Sequence, residues 1–455
     1  MRPLKLILAL LTFSLAIQAQ SDVLEAYIRQ GLADNESIKQ QNFQLKKSLY
    51  ALKEASGLFA PTIGLEASYT DARGGRSFDV PIGDILNPVY QNLNKINAAL
   101  DPTASKFPTL NNVSEQFLPE NFYDAYFQVS MPLINAEIWY NRSIKKDQIE
   151  MQQNEVAIYK RELVKDIKTA YFSYLKAQQA VSIYESALLL VKESERVNEK
   201  LVENGKEVIY AVSRAKSEVS KVEAQLNDAQ NTRKNAAAYF NFLLNRPMDS
   251  EIIIDNALLS NAVLLPEDAA GNSSRREELN KLMLGRKINQ SLLNVSNSSW
   301  IPKVGAQLDL GSQASDFAFN SSSRYYLVGV TFDWTLFKGL RDVNRVKQAQ
   351  LDLQSVNAES RYSESQLQLA AATASNSYSS AKEQFKNAIE QEKSANEYFN
   401  LMNKKYREGQ ALYIEFLDAR NETTLANLQK SITYFDSWIK HAELERANAT
   451  YTINQ

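Results

Sequence analysis

The chain carries one plan twice, and that duplication limits its fold more than any other feature. Each half runs from a proline through two short alternating segments into a very long helical pattern broken once by glycine. In the first half these are Pro61, segments near 62–70 and 123–134, and Gly205; in the second, Pro302, segments near 303–311 and 324–337, and Gly409. Around the two glycines, KLVENGKEVIYAVSRAKSEV aligns with KKYREGQALYIEFLDARNET without a gap. Such self-similarity marks two copies of one supersecondary unit.

The first residues, MRPLKLILALLTFSLAIQAQ, set the compartment. Arg2 and Lys5 precede an apolar run from Leu6 to Ile17, and Ala19 offers a small-residue cleavage site before Gln20. This reads as a secretory signal over 1–19, too short to span a bilayer as a helix. No later stretch approaches the roughly 18 uninterrupted apolar residues a spanning helix needs. If the exported chain crosses a membrane it does so with strands in a closed barrel, because every backbone polar group must be paired in hydrocarbon. The chain has no cysteine, which excludes disulfides, thiolate metal sites and a lipid anchor on cysteine. The single histidine, His441, reads as a helix-surface or packing residue. A net charge of −2 leaves no nucleic-acid footprint.

The alternating segments have the pattern of a barrel wall. Tyr123, Ala125, Phe127, Val129, Met131 and Leu133 share one face opposite Asp124, Gln128 and Ser130, with Tyr126 ambiguous. Tyr326, Val328, Val330, Phe332, Trp334 and Leu336 oppose Gly329, Thr331, Asp333 and Thr335. Ile63, Leu65, Ala67 and Tyr69, and likewise Val304, Ala306, Leu308 and Leu310, repeat the pattern. A sheet covering a soluble core is the alternative reading. Four strands cannot close a barrel, whose smallest known form has about eight, so several copies would pool their strands. Alternation alone does not choose between dimer and trimer. The second strand pair is joined by a short tip, GSQASDFAFNSSS, and the first by residues 71–122. Long loops of such barrels lie outside, which places 71–122 at the cell exterior with a short helix near 89–100.

Proline is absent from 133 to 246 and from 303 onward, which permits very long helices over about 137–203 and 339–407. Helices near 208–245 and 411–448 return through the glycine turns, making two helical hairpins. The longer helices would reach ~100 Å. Val181, Tyr184, Leu188 and Val191 recur at three and four spacing, as expected of rods packed side by side. Segments 22–57 and 275–299 read as lead-in helices. The domain reading is therefore signal 1–19, first repeat 20–245, linker 246–272 with a small strand at Ile252–Ile254, and second repeat 273–455.

The stretch KKYREGQALYIEFLDAR at 404–420, with LFAP at 58–61 and WTLFKG at 334–339, resembles the TolC family of outer-membrane efflux proteins over essentially all of the mature chain. The resemblance implies an α+β, mostly α fold: a homotrimer whose twelve strands close one transmembrane β-barrel above a periplasmic α-helical barrel of twelve long helices. It implies a passive exit duct in the Gram-negative outer membrane, working with a periplasmic adaptor protein and an inner-membrane pump in efflux or type I secretion. No cofactor, metal or catalytic residue is expected, and no enzyme.

By the same resemblance Glu415 and Asp418, six and nine residues after Gly409, would ring the periplasmic entrance. Tyr406 would latch the entrance, although Ala411 replaces the family's basic residue two after the glycine. The first repeat has Ala211 and Arg214 at the matching offsets, so only the second hairpin would carry the gate. The hairpin tips, Val202, Glu203, Asn204, Gly205 and Lys206 with Arg407, Glu408, Gly409, Gln410 and Ala411, are the expected adaptor contacts. A periplasmic adaptor would carry one hairpin among β-rich modules, and a surface coiled-coil stalk would need no barrel strands. These are the alternatives.

Overall fold

The computed structural model describes residues 22–118, 120–205, 209–260, 263–266 and 276–453. The signal segment 1–19 and Lys206 lie outside them, as does part of the linker. Along the chain run α1 (Asp22–Asp34), α2 (Glu36–Gly57), β1 (Thr62–Thr70), β2 (Ser77–Val80), α3 (Ile82–Leu100), β3 (Val113–Gln116) and β4 (Phe122–Ile134). The hairpin α4 (Ala136–Glu203) and α5 (Ile209–Leu243) follows, then the short α6 (Asn256–Leu259) and α7 (Glu277–Asn297). The series closes with β5 (Lys303–Ser315), β6 (Arg324–Asp333), α8 (Arg341–Arg407) and α9 (Tyr413–Asn448). The described chain is mostly helical with a minor share of sheet, as expected. None of its described helices is long and apolar enough to cross a membrane.

The chain divides into two units. The first holds Leu52–Ser143 and Ser291–Lys347, and its centre is a four-stranded antiparallel sheet in the order β1-β4-β5-β6. The two strand pairs are thus joined through β4 and β5, while β1 and β6 are edges. Strand lengths follow partner lengths. Strand β5 runs on to Ser315 because β4 supplies a partner as far as Phe122, whereas β6 stops at Asp333, opposite Lys303. Trp334 and Leu336, expected to continue β6, lie beyond it, past the β5 residue Lys303 that pairs with Asp333, and the Trp334 indole donates instead to the Trp300 carbonyl at 3.2 Å.

Register sorts the side chains as alternation predicts. Ile63, Leu65, Phe127, Tyr326, Val328 and Val330 stand on one face and are all exposed. Tyr123, assigned to that same face, is instead buried under Phe317 and Phe319 of the β5–β6 loop. Tyr126, ambiguous in the sequence, belongs to the polar face, where its hydroxyl donates to Glu66 Oε2 at 2.5 Å. On that face Tyr325 donates to Asp124 (2.9 Å) and Gln307 to Asp309 (2.8 Å). Region 71–122 holds more structure than expected, with β2 pairing β3 and α3 beginning seven residues earlier than read.

The second unit holds 22–51, 144–290 and 348–453 among the described residues, and is helical. Its core gathers Tyr27 and Ile28 of α1, Ile167 and Tyr171 of α4, Phe240 of α5, and Tyr434, Phe435 and Trp438 of α9. His441 packs beside Tyr378 and Trp438. Burying about eight such side chains at roughly 1.5–3 kcal/mol each supplies much of the drive to assemble four remote segments. The lead-in 22–57 is broken at Asn35, whose side chain caps α2 by accepting from Ser37 and Ile38. The linker is extended rather than stranded at Ile252–Ile254 and is clasped by tyrosines. Tyr27 accepts from the Ile253 amide, Tyr171 accepts from the Asp255 amide, and Tyr434 donates to the Val263 carbonyl.

Candidate functional site at the hairpin ends

Both long hairpins turn through a glycine in the left-handed region, Gly205 at φ 69° and Gly409 at φ 72°, where a side chain would be strained. After α8 the Gln410 amide closes on the Lys405 carbonyl (2.8 Å) and the Gly409 amide on Tyr406 (3.0 Å), satisfying the last helical acceptors. After α4, Asn204 turns its carboxamide back to the Lys200 carbonyl (2.6 Å). Glu203, Asn204 and Gly205 are exposed, as are Arg407, Glu408, Gly409 and Gln410, while Val202 and Ala411 are half-buried. A groove at these ends is lined from both hairpins, by Leu201, Tyr210 and Arg214 on one side and Tyr406, Gly409 and Leu412 on the other.

Tyr406 sits in an aromatic cluster, stacked on Phe416 (centroids 5.0 Å apart) with Tyr413 5.8 Å away. Its hydroxyl donates to Asn198 Oδ1 of α4 at 3.3 Å. The Ser194 hydroxyl, one turn earlier, donates to the Tyr413 hydroxyl at 3.3 Å. Burial pushes the Tyr413 phenol up from its usual pKa. The two hairpins are therefore bonded to each other near their ends by α4–α8 and α4–α9 contacts.

Glu415 and Asp418 lie one turn apart on the exposed side of α9, as their spacing predicts. They are differently engaged. Glu415 accepts from the Leu412 amide through Oε2 at 2.7 Å. This is the reciprocal half of a capping box, the only half available because leucine has no side-chain acceptor. The Asp418 carboxylate has no hydrogen bond or ion pair to another described residue. Glu415 sits in the first turn of α9, where the helix dipole favours a negative charge.

Sequence reasoning missed Asn198, Ser194, Glu218 and Arg420. Glu218 and Arg420 had left a signal. Ala211, Ala215, Glu218 and Val222 form the buried stripe of α5, and Phe416, Leu417 and Arg420, with the half-buried Tyr413, that of α9. One charge of each sign on two apolar stripes predicts a buried pair. The three-and-four periodicity was read for its apolar members only.

The profile of the outer membrane efflux protein family matches residues 27–246 and 273–433, most of the chain. The chain belongs to the outer membrane efflux protein family. Solved channels agree in fold across nearly the whole length. The CmeC outer membrane channel of Campylobacter jejuni superposes with TM-score 0.74 at 14% identity, covering 94% of this chain and 85% of that one. VceC of Vibrio cholerae gives 0.73 at 15%, covering 93% and 95%. The open-state MtrE channel of Neisseria gonorrhoeae gives 0.74 at 14%, covering 94% and 88%. No curated protein matches the sequence. Membership bears out the TolC-family resemblance and places the protein in the outer membrane.

Proposed function

We propose that three copies of this efflux-family chain pool their strands into one closed barrel and form the exit duct of a tripartite efflux or type I secretion system. One observation carries the reading. The four-stranded sheet has unpaired edges at β1 and β6, an exposed apolar face, and a second face bearing Glu66, Asp124 and Asp309. Open edges are not tolerated in hydrocarbon, so β6 of one copy must pair with β1 of the next. Closure turns the apolar face to lipid and the carboxylates to a wet lumen.

The periplasmic ends carry the gate in this reading. Tyr406 on Asn198 latches the two hairpins, and Glu415 and Asp418 from each copy ring the entrance. At ~8 Å in water a like-charge pair costs about 0.5 kcal/mol, so a hydrated constriction tolerates such rings and selects cations. Exposed residues at both turns, Glu203 to Gly205 and Arg407 to Gln410, offer the contact surface for a periplasmic adaptor, through which an inner-membrane pump loads the duct. Conduction itself is passive.

The test is a planar-bilayer recording of the purified protein with a multivalent cation added on the hairpin side. Small cation-selective currents, blocked from that side and unblocked in Glu415→Gln/Asp418→Asn, are expected. A trimer that inserts yet conducts without ion preference would remove the two carboxylates from the gate. A monomer that does not insert would remove the duct.

A further inference from the structure

Helix α3, inside the 71–122 insertion, presents two different faces. Its back is fastened to the returning chain. Asn87 and Asn94, seven residues apart, each exchange two hydrogen bonds with one backbone position, Leu110 (both 2.8 Å) and Phe107 (3.1 and 2.7 Å). Tyr90 stacks on Phe107, and a side chain added at Gly83 would stand 2.5 Å from the Leu110 carbonyl. The helix is therefore held in one rotational setting. Its front is apolar: Leu86, Val89, Leu93, Ile96 and Leu100 recur at 3-4-3-4 spacing, Leu86 half-buried and the other four exposed, from Leu93 at 37 % to Leu100 at 82 %.

That spacing is a coiled-coil seam, with leucine at each a position (86, 93, 100) and a β-branched residue at each d (89, 96). Leucine at a with isoleucine at d favours three or four strands over two. The helix has only Asp84 and Lys95 as charged residues, so a charged partner finds nothing to read. It also lacks the lysine- and arginine-rich polar face of a helix that lies on lipid. The surface offering the same spacing is the same helix on another copy. A contiguous apolar stripe of this kind on a rigid mount marks an interaction site.

We infer that the α3 helices of neighbouring copies pack seam to seam over the outer mouth of the duct, so that the insertion is a second, extracellular trimer contact. The inference rests on the trimeric reading above, since strand-edge closure brings the copies around one axis with each α3 inserted between β1 and β4 of its own sheet.

The absence of native cysteine makes the test direct. Leu93→Cys, on the seam, and Lys95→Cys, on the opposite side, are oxidised in intact outer membranes, and parallel samples are reacted with a membrane-impermeant maleimide. The expected result is disulfide-linked pairs for Leu93→Cys, involving up to about two thirds of chains in a three-fold assembly. Its maleimide labelling should run at least ~10-fold below that of Lys95→Cys, which stays uncrosslinked, as a buried seam requires. If Leu93→Cys lowers the yield of protein, Ile96→Cys reads the same seam. A trimer by native mass whose seam cysteine labels freely overturns the inference and leaves the duct intact. So does one that is shielded without crosslinking, because lipid or another protein then covers the helix. Absence of the trimer overturns both.

Discussion

Arg420 on α9 donates to Glu218 on α5 at 3.1 Å, with the two side chains only 2 % and 5 % exposed. An ion pair withdrawn from water to this degree is a registration device between the hairpins rather than a large source of stability. Burial pulls the Arg420 guanidinium down from its usual pKa, with Glu218 opposing that effect, and its Nε has no hydrogen-bond partner. Glu218 has a second cation, the half-exposed Arg214 at 3.3 Å.

Breaking this pair should therefore be asymmetric. Glu218→Gln strands a buried guanidinium and is expected to cost on the order of 3–5 kcal/mol in thermal unfolding. Arg420→Met leaves Glu218 with Arg214 and should cost clearly less. Equal losses would mean that Arg214 does not stand in.

Glu415 combines a cap with the proposed ring charge, and substitutions can separate them. Glu415→Gln retains a side-chain oxygen for the Leu412 amide and loses only the charge's interaction with the helix dipole, so it should reduce cation selectivity at a stability cost of no more than about 1 kcal/mol. Glu415→Ala removes both and should cost about 0.5–2 kcal/mol in addition. Asp418→Asn should alter selectivity alone. Reversal potentials and melting curves of the three variants decide it.

Tyr406→Phe deletes the hydroxyl that reaches Asn198 while keeping the ring against Phe416. A hydrogen bond worth roughly 0.5–1.5 kcal/mol shifts a closed-to-open ratio by up to about tenfold. Single-channel open probability should rise by that order; an unchanged value would show that the aromatic stack alone holds the entrance.

Acid should loosen the helical unit through Arg446, which bonds Glu278 at 2.7 Å and Glu162 at 2.9 Å. Burial pushes the Glu278 carboxyl up, but Arg446 and then Arg276 outweigh it and hold the group below the ordinary range. Glu162 is likewise lowered, burial being outweighed by Lys165 and Arg446. Carboxyls depressed in the folded state contribute stability above their unfolded pKa, about 4.3, and lose it as pH falls through the folded value. Melting temperature should thus decline below about pH 4.3, and Arg446→Met should flatten that decline.

Much of the architecture was legible because it follows periodicity. The bounds of β1 and the near bounds of α4, α5, α8 and α9 come from alternation, the proline-free runs and the two glycines. What failed needed a partner to be known. Trp334 and Leu336 alternate as a strand does, but β5 ends opposite Asp333. The β4–β5 pairing joins segments more than 150 residues apart, which no local pattern reports. Helix α3, expected near 89–100, begins at Ile82, with Pro88 within its first two turns. At the hairpin ends the exposed residues were found from the turn, while Asn198, Glu218 and Arg420 were missed because their importance comes from what lies across the interface.

The contact between the Tyr451 hydroxyl and Glu25, 2.8 Å long and spanning 426 positions, sets an order of events for the newborn chain. Arg161 likewise waits for the carbonyls of Ala449 and Tyr451. Lead-in, first hairpin and second hairpin share one core, so none of them can finish folding while residues near 450 are still on the ribosome. The long helices are amphipathic, and before that core closes their apolar stripes stay open. A polypeptide built this way completes its shared core only once residues near 450 have joined it.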